Sequence, residues 1–60
     1  MAHQQEQIAY NRGWNVVSDA VAAGYHAPYT NLEDTQEEHV AFRDGFFDAV
    51  AYYSAERVAA

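Results

Sequence analysis

The sequence predicts an all-α fold: a two-helix hairpin over about residues 7–23 and 31–57, open to completion as a helical bundle by a second copy or a partner. Three observations predict it. Apolar residues recur at helical spacing in both halves of the 60-residue chain. A Gly-to-Pro joint separates the halves. Half of the residues are hydrophobic, which is too many for a chain that stays disordered.

In the first helix, Tyr10, Trp14, Val17 and Val21 form one stripe. Ala9, Gly13, Val16 and Ala20 widen it, and Asn11, Asn15, Ser18 and Ala22 fall on the opposite side. Residues 1–6 are polar and are expected to be a flexible lead-in to a single small domain. Gly24 suits the C-terminal cap, because a left-handed conformation costs glycine little. Within the joint, Gly24 to Tyr29, Pro28 turns Ala27 away from helix. Two capping boxes then compete for the start of the second helix. One is Thr30-Asn31-Leu32-Glu33 and the other is Thr35-Gln36-Glu37-Glu38.

In the second helix, Phe42, Phe46, Ala49, Val50 and Tyr53 form one stripe. Val40, Phe47, Ala51 and Val58 form its neighbour. That apolar surface is broader than one helix can cover. Arg57 suits the negative end of the helix dipole. A short internal repeat links the helices: Ala9-Tyr10-Asn11-Arg12-Gly13-Trp14 against Ala41-Phe42-Arg43-Asp44-Gly45-Phe46. Glycine inside a helix costs about 1 kcal/mol relative to alanine. Two such glycines in matching contexts point to close backbone approach, with Gly13, Trp14, Phe42, Gly45 and Phe46 as the helix-packing residues.

Net charge is −6, with nine acidic residues against three arginines and no lysine. The first thirty residues balance to −1 and the last thirty to −5. Nucleic-acid affinity rests on neutralising phosphates with Lys and Arg, so direct nucleic-acid binding is not expected. Anionic membrane surfaces are disfavoured for the same reason, and no apolar run reaches the ~20 residues of a membrane span. The polar start lacks the basic region of a signal peptide. A cytoplasmic location follows as the expectation, the host cytoplasm if the gene belongs to a phage. There is no cysteine, so a disulfide cannot supplement a core this small.

No catalytic residue, cofactor or metal site is expected. His3, His26 and His39 share no ligand spacing, and there is neither a phosphate-cradling glycine loop nor a nucleophile motif. The acidic run Glu33, Asp34, Glu37 and Glu38, continued by Asp44 and Asp48, has two main readings. It is a solvated helix face whose first turns suit the dipole, or a negative strip that meets a basic surface. A carboxylate acid–base pair would need a concave pocket, and two short helices offer little room for one. Nine aromatics exceed what a two-helix core can hide. Phe47, Tyr52 and Tyr53 point at different angles around the second helix, so they are the candidates for a partner or homodimer contact.

The order of Gly13-Trp14, Pro28-Tyr29 and Phe42-Arg43-Asp44-Gly45-Phe46-Phe47-Asp48-Ala49 resembles the ribosome modulation factor family, small two-helix proteins of bacteria and phages. The resemblance spans about residues 9–50 and implies the paired helices. It would imply ribosome binding as well. However, family members that bind ribosomes are strongly basic and this chain is acidic. The stretch from Tyr29 to Phe42 is also about one helical turn longer than in that family.

The expected function is therefore that of a small acidic, non-enzymatic interaction protein. It would bind a basic or mixed apolar–basic surface on a protein partner, and a homodimer is expected. An inhibitor encoded by a phage and imitating nucleic-acid charge is its sharper form. A ribosome-associated modulator is the alternative.

Overall fold

A computed structural model describes the backbone of residues 2–59 and the side chains of residues 4–55. The protein is all-α, with α1 spanning Ala2–Ala23 and α2 spanning Gln36–Ala59. Both helices differ from their sequence boundaries. Helix α1 begins five residues before residue 7, so positions 2–6 are part of the helix. Helix α2 begins five residues after residue 31.

The late start of α2 has a local cause. Thr35 is the N-cap: its hydroxyl oxygen accepts the Glu38 amide at 3.1 Å, and Glu38 Oε1 accepts the Thr35 amide at 3.1 Å. This is the reciprocal capping box. The competing box at Thr30 does not open a helix. Asn31 instead forms an Asx turn with the Glu33 amide at 3.2 Å. Thr35→Ala is expected to lower stability by about 1 kcal/mol, whereas Thr30→Ala should leave it nearly unchanged. Chemical denaturation of both variants checks this.

Helix α1 ends as the sequence suggests. Gly24 adopts φ 83°. Its amide donates to Val21 O at 3.1 Å and the Tyr25 amide to Ala20 O at 3.0 Å, the paired closing bonds of a Schellman motif.

The contacts between helices fix their direction. Near one end, Gln7 and Tyr10 face Ala41 and Asp44. In the middle, Gly13 meets Phe42 and Phe46. Further along, Trp14 meets Tyr52 and Tyr53, and Val21 lies with Val50 and Tyr53. Contacts advance along both helices together, so the paired helices run in the same direction. Residues 24–35 therefore cannot be a tight turn. They form a strap that returns along the pair, and at ~3.3 Å per residue they span such a distance.

The crossing is closed by glycine. A Cβ at Gly13 would fall on the Phe42 carbonyl oxygen and 2.9 Å from Phe46 N. A Cβ at Gly45 would fall on the Tyr10 carbonyl oxygen and 2.9 Å from its carbon. Positions 13 and 45 are equivalent in the repeat, as are 10 and 42. Each glycine thus meets the partner helix at the equivalent residue, which makes the crossing a pseudo-two-fold. Around it lie the buried side chains of Ala9, Val17, Ala20, Phe42, Phe46 and Ala49. Small residues at 9, 20 and 49 let the helices approach, and the phenylalanines fill the flank. Trp14, Val21 and Tyr53 pack against this core while partly exposed.

Two stripe residues are less buried than their periodicity suggests. Val16 and Val50 are exposed, because the interface is narrow around the glycines and misses both edges of the stripes. Val58 and Arg57 lie outside the described side chains.

Candidate functional site

A pair of helices has two long grooves, and here they differ. The strap fills one. Tyr29 stacks on Phe47 with centroids 5.5 Å apart, meets Phe46 edge-on at 5.1 Å, and reaches Phe42 at 6.2 Å. Pro28 turns Ala27 away from helix, and the chain through Tyr29 is non-helical. Asn31 Nδ2 donates to the His39 carbonyl at 2.9 Å, tying the strap to α2. Arg12 ties it to α1, donating from Nε to Glu33 Oε2 and from Nη2 to Glu33 Oε1, both at 2.9 Å. That two-point grip raises the already high pKa of Arg12. The Glu33 side chain is 8% exposed and that of Arg12 54%, so the carboxylate end of this bidentate pair is shielded while the guanidinium end stands in water.

The other groove stays open at the N-terminal ends of the two helices. Its cavity, about 540 Å³, is lined by Glu6, Gln7 and Tyr10 from α1 and by Glu37, Val40 and Asp44, among others, from α2. Its far end is closed by two contacts. Tyr10 donates its hydroxyl to Asp48 Oδ2 at 2.6 Å, and the Trp14 and Tyr52 rings meet at 5.5 Å.

The Asp48 hydrogen bond, followed by burial and the charges of Asp48 and Asp44, raises the Tyr10 pKa above the ordinary tyrosine value. The folded state therefore holds this proton more tightly than the unfolded chain does. Its stabilising effect is complete below the unfolded tyrosine pKa near 10 and is lost as pH rises through the folded one. An absorbance titration should show Tyr10 ionising above the ordinary tyrosine value, and Tyr10→Phe should remove that late phase.

The acidic strip does not form one continuous surface. Glu33 faces the strap clamp, Glu38 closes the α2 cap and Asp48 holds Tyr10. Asp34, Glu37 and Asp44 remain exposed. Asp44 has Arg43 Nη2 at 3.4 Å, but both side chains stand in water, where such a pair contributes little.

The aromatic candidates also divide. Phe47 and Tyr52 are each 52% exposed, on opposite sides of α2. Tyr53 packs inward against the core. Tyr25, Tyr29 and Leu32 add exposed apolar surface along the strap. Among the described residues, no three His, Asp or Glu side chains come together as metal ligands would, and no helix is long and apolar enough to cross a membrane. His26 lies at a smaller cavity of about 270 Å³ with Val17, Val21 and Val50. His3 lies outside the described side chains.

Sequence reasoning missed the Arg12–Glu33 clamp, the Tyr10–Asp48 bond and the contribution of Glu6, Gln7 and Gln36 to the open groove. All three depend on the helices running the same way. The repeat signalled a close crossing but not its direction.

Fold and site together define a class: a two-helix all-α protein with a strapped groove and an open acidic one. Compared with known protein families, curated proteins and solved structures, the chain matches none.

Proposed function

We propose that this protein is a non-enzymatic binding module that docks on a basic or mixed apolar–basic surface of a protein partner, chiefly through α2. The observation that carries this reading is the surface of α2. Exposed Phe47 and Tyr52 stand on the same helix as exposed Glu37 and Asp44. Aromatic side chains left half in water are typical anchors of an interface. Carboxylates beside them favour a cationic partner and repel an anionic one. The other carboxylates of the strip hold the fold together, which supports a binding role over acid–base chemistry. An inhibitor that imitates nucleic-acid charge is the sharper version, with Asp34, Glu37 and Asp44 as its charges.

The test is capture from the native host. Asp34→Lys, Glu37→Lys and Asp44→Lys together reverse the exposed acids and leave the cap, the clamp and the Tyr10 bond in place. Loss of the captured partner is expected, and retention would remove charge from the account. A homodimer would cover Phe47 or Tyr52, which face opposite sides of α2, and light scattering reads its mass directly.

The resemblance to ribosome modulation factors supplies the second reading. Its motif residues Gly13, Pro28, Tyr29 and Gly45 lie in the crossing and the strap, so they account for a shared fold without an RNA contact. Co-sedimentation with ribosomes would favour the modulator, and absence from every ribosomal fraction would sink it.

A further inference from the structure

We infer that the open groove between the N-terminal halves of α1 and α2 is the docking site for an amphipathic segment of a partner protein, bearing lysine or arginine beside apolar residues. This rests on the binding role proposed above and names its site. The floor is apolar, formed by Val40, Ala41 and the ring of Tyr10, with Glu6 on the α1 wall and Glu37 and Asp44 on the α2 wall. Glu37 and Asp44 are seven residues apart, two helical turns or about 10 Å along the same face. A segment lying in the groove would set apolar side chains on the floor and cations against Glu37 and Asp44.

The protein itself shows that such a groove takes an extended segment. The pseudo-two-fold relates Gln7 and Tyr10 of the open groove to His39 and Phe42, and the strap lies on that second pair, with Asn31 bonded to the His39 carbonyl and Tyr29 against Phe42. Charge decides the occupant. Glu37 and Asp44 stand exposed along the groove and set its mouth negative beside the fractional positive charge of the two helix N-termini. A second copy of this chain, at −6, would bring like charge to an acidic trough, so a basic partner fits and a homodimer through this groove does not.

The test uses the full chain, isotope-labelled, titrated with a peptide of alternating leucine and lysine, amphipathic when extended. A peptide with glutamate in place of lysine is the control. The lysine peptide should shift the amides of Gln7, Val40, Ala41 and Asp44, and the glutamate peptide should not bind. Glu37→Gln with Asp44→Asn should weaken binding about ten-fold at low salt, against less than about two-fold for Asp34→Asn outside the groove. Equal weakening by Asp34→Asn would overturn the groove assignment, since attraction would then be general. Shifts centred on Tyr29, Phe47 and Val50 would also overturn it while leaving the basic-partner reading intact. No binding of the lysine peptide at any position would overturn both.

Discussion

Gly45→Ala is expected to unfold the protein under conditions where the wild type is folded, and Gly13→Ala should do the same. In ordinary helices this exchange stabilises by about 1 kcal/mol. Here the added methyl group would land on a backbone carbonyl oxygen, Tyr10 O for position 45 and Phe42 O for position 13. A flexible side chain could move aside, but a carbonyl within a helix cannot move without its helix. The helices would have to separate, and the contacts of Ala9 and Ala49 would open with them. Overpacking typically costs about 1–3 kcal/mol and sometimes more, and backbone contact on both walls places these variants at the upper end. A domain of this size has roughly 3–9 kcal/mol in total. Gly24→Ala is the contrast: it meets no atom within 4 Å and suffers only the strain of positive φ, about 1–2 kcal/mol. Thermal melting by circular dichroism should rank Gly13→Ala and Gly45→Ala well below Gly24→Ala. The reverse order would mean that the helices do not cross at these glycines.

The second large effect is expected at Phe46. Its ring is 4% exposed, lies between the helices and meets Tyr29 at 5.1 Å and Phe47 at 5.2 Å. Truncating a buried phenylalanine costs about 3–5 kcal/mol, comparable with the stability of the whole chain. Phe46→Ala should therefore be largely unfolded in urea titrations starting from zero denaturant. Phe46→Leu keeps most of the volume and should remain folded with a lowered midpoint. Phe47→Ala, one residue away, loses a ring already half in water and should cost far less. If Phe46→Ala and Phe47→Ala were equally mild, the strap would not be packed on a core at all.

The fold class was legible because both helices carry apolar residues at helical spacing, and because Gly24 and Pro28 interrupt them. The glycine crossing was legible too: two interior glycines in one repeated context have few other physical reasons. Neither the repeat nor the periodicity could show direction. Reciprocal glycine contacts suit a pair running either way, and it is the advance of contacts from Gln7 and Ala41 to Val21 and Tyr53 that sets the helices parallel. Helix ends were poorly legible for local reasons. Thr30 and Thr35 offer the same capping pattern, and Asn31 decides between them by turning the strap back toward Glu33. The polar residues before Gln7 form helix without an apolar stripe to announce it.

The candidate site was legible in composition and not in layout. The six acidic residues were visible, but Glu33, Glu38 and Asp48 have partners set by the tertiary fold. Arg12 and Glu33 lie twenty-one residues apart in sequence, and nothing local pairs them. Likewise, Phe47 and Tyr52 remain exposed while Tyr53 turns inward, because the strap and Trp14 approach α2 from different sides.

Photocrosslinking inside the native host tests the central claim most directly. A photoreactive residue at Gln7 faces the open groove, and one at Ala22 stands on the exposed back of α1. From Gln7, a cross-linked peptide rich in lysine or arginine is expected, with no such product from Ala22. An acidic or uncharged peptide at Gln7, or the same products from both positions, would contradict a partner held by its positive charge in the acidic groove.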